Sequence, residues 1–247
     1  IARRSGDLPR SRDLLEKANA VLETSSNPDA DFLRAQIWLD LGAVELNLNS
    51  PSRAKALAVS IIKWARATDE TYFYGRGLLL LGDALRAADE LAEALRAYGQ
   101  AKGVLSEAGD LKGVGYCLLG RGRVERYLGR LDDALTSFSN AAEQFGEIDD
   151  RIGQAQMYLS VGELCQQQAE IRPAERAFRR AQKLFQQCHD IGNGLLAELR
   201  LGLLLYNSGR QDEGRRMLTR VSSQPLVRTL PDELVGECLR CLGETLS

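Results

Sequence analysis

Apolar side chains recur along the chain at spacings of three and four residues. Between Gly129 and Phe145, the side chains of Ala134, Phe138 and Ala141 follow one another at intervals of four and three, which places them on one face of a helix. Stretches of this kind succeed each other, separated by short segments containing Gly, Asp, Asn or Pro. Strand-like alternation is missing from the pattern, so the sequence predicts an all-α protein.

The helical pattern repeats every 40 residues. A glycine marks the same place in five units, at Gly42, Gly82, Gly122, Gly162 and Gly202. The residue before it is apolar in four of these units, with Arg121 as the exception. Because a unit of this size cannot bury its apolar face alone, neighbouring units are predicted to stack into a continuous core.

The pattern predicts that each unit forms a pair of helices and that the glycine of the first helix contacts a particular residue of the second. A small residue follows the glycine after 12 positions, as Ala134 does, and a residue that is mostly large follows after 16, as Tyr98, Phe138 and Phe178 do. The glycine is predicted to let the second helix approach closely. We expect the small residue to lie against the glycine and the large one to fill the gap toward the next unit.

These residues resemble the tetratricopeptide repeat. Trp38, Leu41 and Gly42 match its W-x2-L-G signature, and Ala134, Phe138 and Ala141 match A-x3-F-x2-A. HEAT and armadillo repeats reach a similar length but lack this pairing. The period of 40 exceeds the usual value of about 34 and is similar to the long repeats of kinesin light chain, Partner of inscuteable and bacterial regulators of the MalT and Rap type. The resemblance implies a right-handed superhelix of antiparallel helix pairs.

The register predicts a single array over residues 1–247. Residues 1–29, which include Gly6, are predicted to hold a second helix without its first, and residues 231–247 a first helix without its second. Five full repeats are predicted between them, at 30–70, 71–110, 111–150, 151–190 and 191–230.

Composition and charge narrow the function classes. The formal net charge is −2 and the isoelectric point is about 5.7, which argues against a general nucleic-acid binder. No apolar run approaches the roughly 18 residues that suggest a membrane span. We therefore expect no membrane association. The five cysteines are odd in number and scattered, so we expect a reducing, cytoplasmic environment.

Residues that could carry chemistry are few. His189, the one histidine, falls in a turn between repeats, and Cys238-x-x-Cys241 lacks a second pair of metal ligands nearby in the sequence. Phosphate-binding and nucleophile motifs are missing. The sequence therefore predicts no enzyme, no catalytic residue, no metal and no cofactor.

The resemblance implies that a partner binds on the concave face lined by first helices. The predicted partner-binding residues there are Arg76, Arg86, Tyr116, Arg123, Arg126, Tyr127, Gln166, Tyr206 and Asn207. Arginine forks pair with carboxylates and tyrosine offers rigid contact area, so the expected partner is a protein or peptide with an acidic segment. The alternative is a solvated face on which Asp83 and Glu163 neutralise the arginines.

Two functions remain open from the sequence. The first is a protein-interaction scaffold that binds a peptide or helical segment, and the second is the regulatory or sensor module of a larger signalling protein. A chaperone-tail clamp is disfavoured because Leu39 and Ala43 occupy the positions expected for its polar residues. A second basic cluster, at Arg176, Arg179 and Arg180, is expected to lie on a solvated convex face. The sequence leaves the oligomeric state undecided.

Overall fold

The computed structural model describes residues 7–25, 27 and 29–243, and this part of the chain contains α-helices, one 3₁₀ helix and no strand. The predicted all-α class of antiparallel helix pairs is confirmed. Gly6 and the last four residues of the predicted terminal half repeat lie outside the described residues.

The backbone forms two compact units, Asp7–Ile148 and Asp149–Ser247. The first unit holds seven helices: α1 Leu8–Glu23, α2 Ala30–Asn47, α3 Pro51–Thr68, α4 Thr71–Ala87, α5 Leu91–Glu107, α6 Leu111–Tyr127 and α7 Leu131–Glu147. The second holds α8 Arg151–Gln167, α9 Ile171–Gln187, α10 Ile191–Asn207, α11 Gln211–Ser222, the 3₁₀ helix Pro225–Thr229 and α12 Asp232–Leu242. The single array and its repeat boundaries stay a prediction.

The helices end at regular intervals because one residue in each turn is left-handed. A positive φ angle recurs every 20 residues from Asn49 to Gly209. The next residue's N–H then reaches back to the helix, as Asp110 N–H does to the Leu105 carbonyl at 2.8 Å and Arg130 N–H to the Glu125 carbonyl at 2.9 Å. These bonds satisfy carbonyls that the helix end leaves unpaired.

Within the first unit, each first helix packs against the second helix that precedes it, and neighbouring first helices also contact one another, α2 with α4 and α4 with α6. They therefore form one continuous layer, with the second helices packed against it. Inside the pairs α4–α5 and α6–α7 a buried glycine allows the two helices to pack closely. A Cβ atom added to Gly122 would lie 2.6 Å from a ring carbon of Phe138, so only glycine leaves room for that ring.

The expected packing partner of the glycine needs correction. The large ring, and not the small residue of the second helix, covers the glycine, as Phe138 covers Gly122 and Phe178 covers Gly162. The ring of Tyr98 lies over Gly82 and also reaches Gly120 of the next repeat, as expected. The physical reason is that a planar ring needs the flat surface that a missing side chain provides.

The last helix pair departs from this regularity. Helix α11 has 12 residues, whereas α5, α7 and α9 have 17 each. Pro225 stands at the position that Leu105, Phe145 and Phe185 occupy in the last turn of the earlier second helices. Proline offers no N–H and pushes the residue before it out of the helical region, and Gln224 is indeed extended, with a ψ angle of 135°.

Candidate functional site

The nine predicted binding residues are divided between the two units, with six in Asp7–Ile148 and three in Asp149–Ser247. Each set is described within its own unit. In the first unit the residues come from α4 and α6, the neighbouring first helices.

Arg76 on α4 is held by a carboxylate of its own unit. Its Nε atom lies 2.7 Å from Oδ2 of Asp110, and only 20% of its side chain is exposed. Asp110 also caps α6, because its Oδ1 accepts a hydrogen bond from the N–H of Gly113 at 2.9 Å. Arg76 therefore ties α4 to the start of α6, a structural role that the sequence did not indicate.

Arg86 lies near a second internal carboxylate. The hydroxyl of Tyr98 donates to Oδ1 of Asp83 at 2.7 Å, and a guanidinium nitrogen of Arg86 lies 3.8 Å from the same oxygen. Burial, followed by the negative charge of Asp83, raises the pKa of Tyr98 well above its usual value. The hydroxyl is consequently a fixed donor, and it orients Asp83 at the layer of first helices.

Helix α6 supplies the remaining four residues of this unit. Tyr116 is half-buried, and its ring meets that of Phe145 edge-on with centroids 5.0 Å apart. Arg123 and Arg126 are half-buried. Tyr127, in the last position of the helix, exposes 67% of its surface. Two cations and a solvated aromatic ring thus share one and a half turns of a single helix.

The three residues in the second unit differ in their surroundings. Gln166 is half-buried, and Tyr206 packs against the apolar cluster that includes Leu199 and Leu218. Asn207 is exposed and donates from Nδ2 to Glu237 at 3.0 Å. This unit also contains an ion pair that the sequence did not predict, between Glu163 and Arg200 at 2.8 Å.

A buried polar network inside the third repeat was also missed. Glu125 is 3% exposed and accepts hydrogen bonds from Nε of Arg121 and from the hydroxyl of Ser137, both at 2.6 Å. The signal was present in the sequence, because Arg121 breaks the apolar pattern before the repeat glycine. The sequence did not reveal which groups Arg121 belongs with, because Glu125 lies one helical turn away and Ser137 lies on the other helix of the pair.

The histidine and cysteine candidates for catalysis or metal binding are His189, Cys238 and Cys241. Among residues 7–25, 27 and 29–243, no group of three or more His, Cys, Asp or Glu side chains could hold a metal ion. Cys238 is buried and Cys241 is half-buried. His189 is exposed in its turn with a φ angle of 54°.

Arg179 of the basic cluster on α9 takes part, with Arg210, in a network with acidic residues. Arg179 and Arg210 both contact Glu175, at 2.7 Å and 2.8 Å, and both also contact Glu213. Burial raises the pKa of Glu175, but the hydrogen bonds from Arg179 and Arg210 outweigh it and leave the pKa below its ordinary value. Arg179 and Arg210 therefore link α9 to α11.

Comparison with known proteins defines the class. Residues 116–187 match the family model of the tetratricopeptide repeat. RapI, solved in its apo form, superposes with a TM-score of 0.69 at 13% identity, over 98% of this chain and 88% of that one. BtubC from P. vanneervenii superposes with a TM-score of 0.65 at 15% identity, over 87% of this chain and 89% of that one.

A third similar structure is a Signal Transduction ATPase with Numerous Domains from Pyrococcus horikoshii, which carries a tetratricopeptide repeat sensor. Its TM-score is 0.65 at 13% identity, over 97% of this chain and 38% of that one. No curated protein matches the sequence closely enough to count as a relative.

The helix pairs with their buried glycines thus define a helical-repeat protein. Residues 116–187 match the tetratricopeptide repeat, and the likeness to RapI extends the same fold over 98% of the chain. In the part of the chain that the structure describes, no helix is long and apolar enough to cross a membrane.

Proposed function

We propose that this chain is an interaction module that binds a peptide or helical segment of a partner protein on the layer of first helices. The observation that carries the proposal is on α6, where half-buried Arg123 and Arg126 precede Tyr127, which is 67% exposed. Tyrosine and arginine are the side chains that most often dominate binding energy at protein interfaces.

The partner proposed for this surface is an acidic segment. Arg86 of α4 and Arg126 of α6 occupy equivalent places in neighbouring repeats, so a chain crossing both helices meets cations in sequence. Exposed ion pairs contribute only about 0–1 kcal/mol each. Useful affinity therefore needs several pairs together with burial of the Tyr127 ring.

Reversing two charges tests the proposal. Arg123→Glu with Arg126→Glu should leave the helical circular dichroism unchanged and abolish capture of the partner from an extract of the source organism. The matched control is Arg172→Glu with Arg176→Glu, which makes the same change of charge on exposed positions of α9. The captured protein should be lost from the first variant alone, and its binding to the unaltered chain should weaken with salt because long-range attraction is screened.

If both double variants capture the partner as the unaltered chain does, the surface on α4 and α6 is not the binding site. If both lose it, the effect belongs to net charge and the assignment to α6 also fails.

A second candidate function is a sensor or regulatory module within a larger signalling protein. Its support is the fold likeness to the tetratricopeptide repeat sensor of the ATPase from Pyrococcus horikoshii, in which this chain corresponds to 38% of the length. The sequence of the complete gene tests it: a nucleotide-binding or kinase domain on the same polypeptide supports this function, and a gene that encodes only helical repeats contradicts it.

A further inference from the structure

A pocket of about 380 Å³ opens in the second unit. It is formed by the end of α9, the start of α10 and the end of α11. Ile191 and Leu195 supply apolar surface above the buried ring of Phe185, and the polar lining residues are Gln186, His189, Asp190, Glu198, Arg220 and Gln224. A volume of this size is near the small end of the range for ligand sites, roughly 300–1,000 Å³.

The pocket exists because the fifth repeat departs from the pattern of the fourth. In the fourth repeat, Tyr158 and the buried Leu184 occupy the equivalent places, and the guanidinium of Arg180 lies 5.9 Å from the Tyr158 ring centroid. In the fifth repeat these places hold Glu198, Gln224 and Arg220.

Glu198 is the most unusual of these changes. The residue four before the repeat glycine is large and apolar in the four earlier repeats, as Trp38, Leu78, Leu118 and Tyr158. Glu198 is nevertheless only 8% exposed. Burying a carboxylate where packing calls for an apolar side chain is costly unless the charge is paired, and such breaks in a repeat pattern concentrate at functional sites.

The carboxylate is paired in a way that leaves a cation at the pocket's edge. Oε1 of Glu198 accepts from Nε of Arg220 at 2.5 Å, and Oε2 accepts from Nε2 of Gln182 at 3.2 Å. The Arg220 side chain is 61% exposed, so its guanidinium can also meet a ligand. One wall of the pocket therefore presents a negative and a positive group side by side, next to apolar surface.

We infer that this pocket binds a small apolar amino acid. Its ammonium group lies toward Glu198, its carboxylate lies against Arg220, and its side chain covers Ile191 and Leu195. A zwitterion with an apolar side chain matches the carboxylate, the guanidinium and the apolar surface of the pocket. A purely apolar ligand would have no polar group to contact Glu198 or Arg220.

Titration calorimetry with L-leucine tests the inference on the full chain. We expect saturable binding of L-leucine. 4-Methylpentanoate and L-leucinamide should each bind at least about tenfold more weakly than L-leucine, because each analogue lacks one charge-assisted contact. Absence of saturable binding overturns the inference. Equal binding of leucine and both analogues also overturns it, because the ion pair then plays no part in recognition.

Glu198→Tyr supplies the matched variant, since it recreates the Tyr158 and Arg180 arrangement of the fourth repeat and fills the cavity. It should fold and lose leucine binding, while Glu147→Tyr, the same exchange at an exposed position of α7, should bind as the unaltered chain does. Gln224→Leu restores the residue of the fourth repeat at the opposite wall and decides the matter should Glu198→Tyr not fold. Retained binding in a folded pocket-filling variant places the ligand elsewhere.

Discussion

At the residue scale, the fold depends on the fit between one glycine and one large side chain in the second to fifth repeats, whereas Gly42 of the first repeat lies against Leu80 of the second. Phe138 is 1% exposed and lies over Gly122, and Leu218 covers Gly202 in the same way. Interiors packed at crystal-like density cannot absorb an added side chain without movement. In these four repeats the two positions are therefore coupled and cannot be changed independently.

This coupling predicts the outcome of a double-mutant cycle. Phe138→Ala should cost about 3–5 kcal/mol of unfolding free energy, and Gly122→Leu about 1–3 kcal/mol or more through overpacking. In the double variant the leucine occupies the space of the lost ring, so the summed cost should fall by about 0.5–3 kcal/mol. Urea denaturation of the four proteins measures this, and simple additivity would show that the two sites do not share one space.

At the element scale, a left-handed residue every 20 positions fixes where each helix ends. Glycine, asparagine and aspartate hold seven of these nine places, and Ala169 and His189 hold the other two. Glycine reaches positive φ without strain, whereas a side chain with Cβ costs roughly 1–2 kcal/mol there. Histidine is enriched in this region together with asparagine and aspartate, so Ala169 is the residue least suited to its backbone.

Ala169→Gly is accordingly expected to stabilise the protein. The relief of strain exceeds the extra flexibility that glycine gives the unfolded chain, so the net gain should be a few tenths to about 1 kcal/mol. Ala56→Gly, at an exposed site inside α3, should instead lose about 0.5–1 kcal/mol. Thermal unfolding monitored by circular dichroism compares them, and a lower midpoint for Ala169→Gly would mean that its φ angle of 58° carries no strain.

At the scale of the whole molecule, the side-chain contacts described between repeats join residues about one repeat apart, which belong to adjacent repeats. Arg53 with Glu16 and Arg200 with Glu163 span 37 residues, and Arg210 with Glu175 spans 35. In such an array each repeat depends mainly on its neighbours, and stability is a sum of repeat and interface contributions.

Damage to one end should therefore remain local. Leu218→Ala removes a fully buried side chain and should cost about 2–5 kcal/mol, with faster amide hydrogen exchange in α10, α11 and α12. Exchange in α3, α4 and α5 should not change. Leu135→Ala, at a site 52% exposed, is the control and should alter little. Mass spectrometry resolves these segments, and a uniform increase from α2 to α12 would indicate one cooperative fold instead of neighbour-dependent repeats.

The sequence by itself determined the helices, their pairing and the repeat. This was possible because the contacts that create the repeat are between residues at fixed separations along the chain, such as Gly122 and Phe138. A regular period of glycine and large residues leaves few other ways to bury the apolar faces. The register also indicated which helices are first and second, and hence where Arg123, Arg126 and Tyr127 would lie.

Only the tertiary structure decided how polar side chains are engaged. The position of Arg76 suggested a binding residue, but its long side chain reaches Asp110, 34 residues away, at the start of α6. The pocket beside Glu198 likewise depends on the early end of α11 and on the reach of Arg220. Spacing fixes where a Cα atom lies. The far end of a long charged side chain, however, follows whichever partner and cavity the neighbouring helices bring within reach.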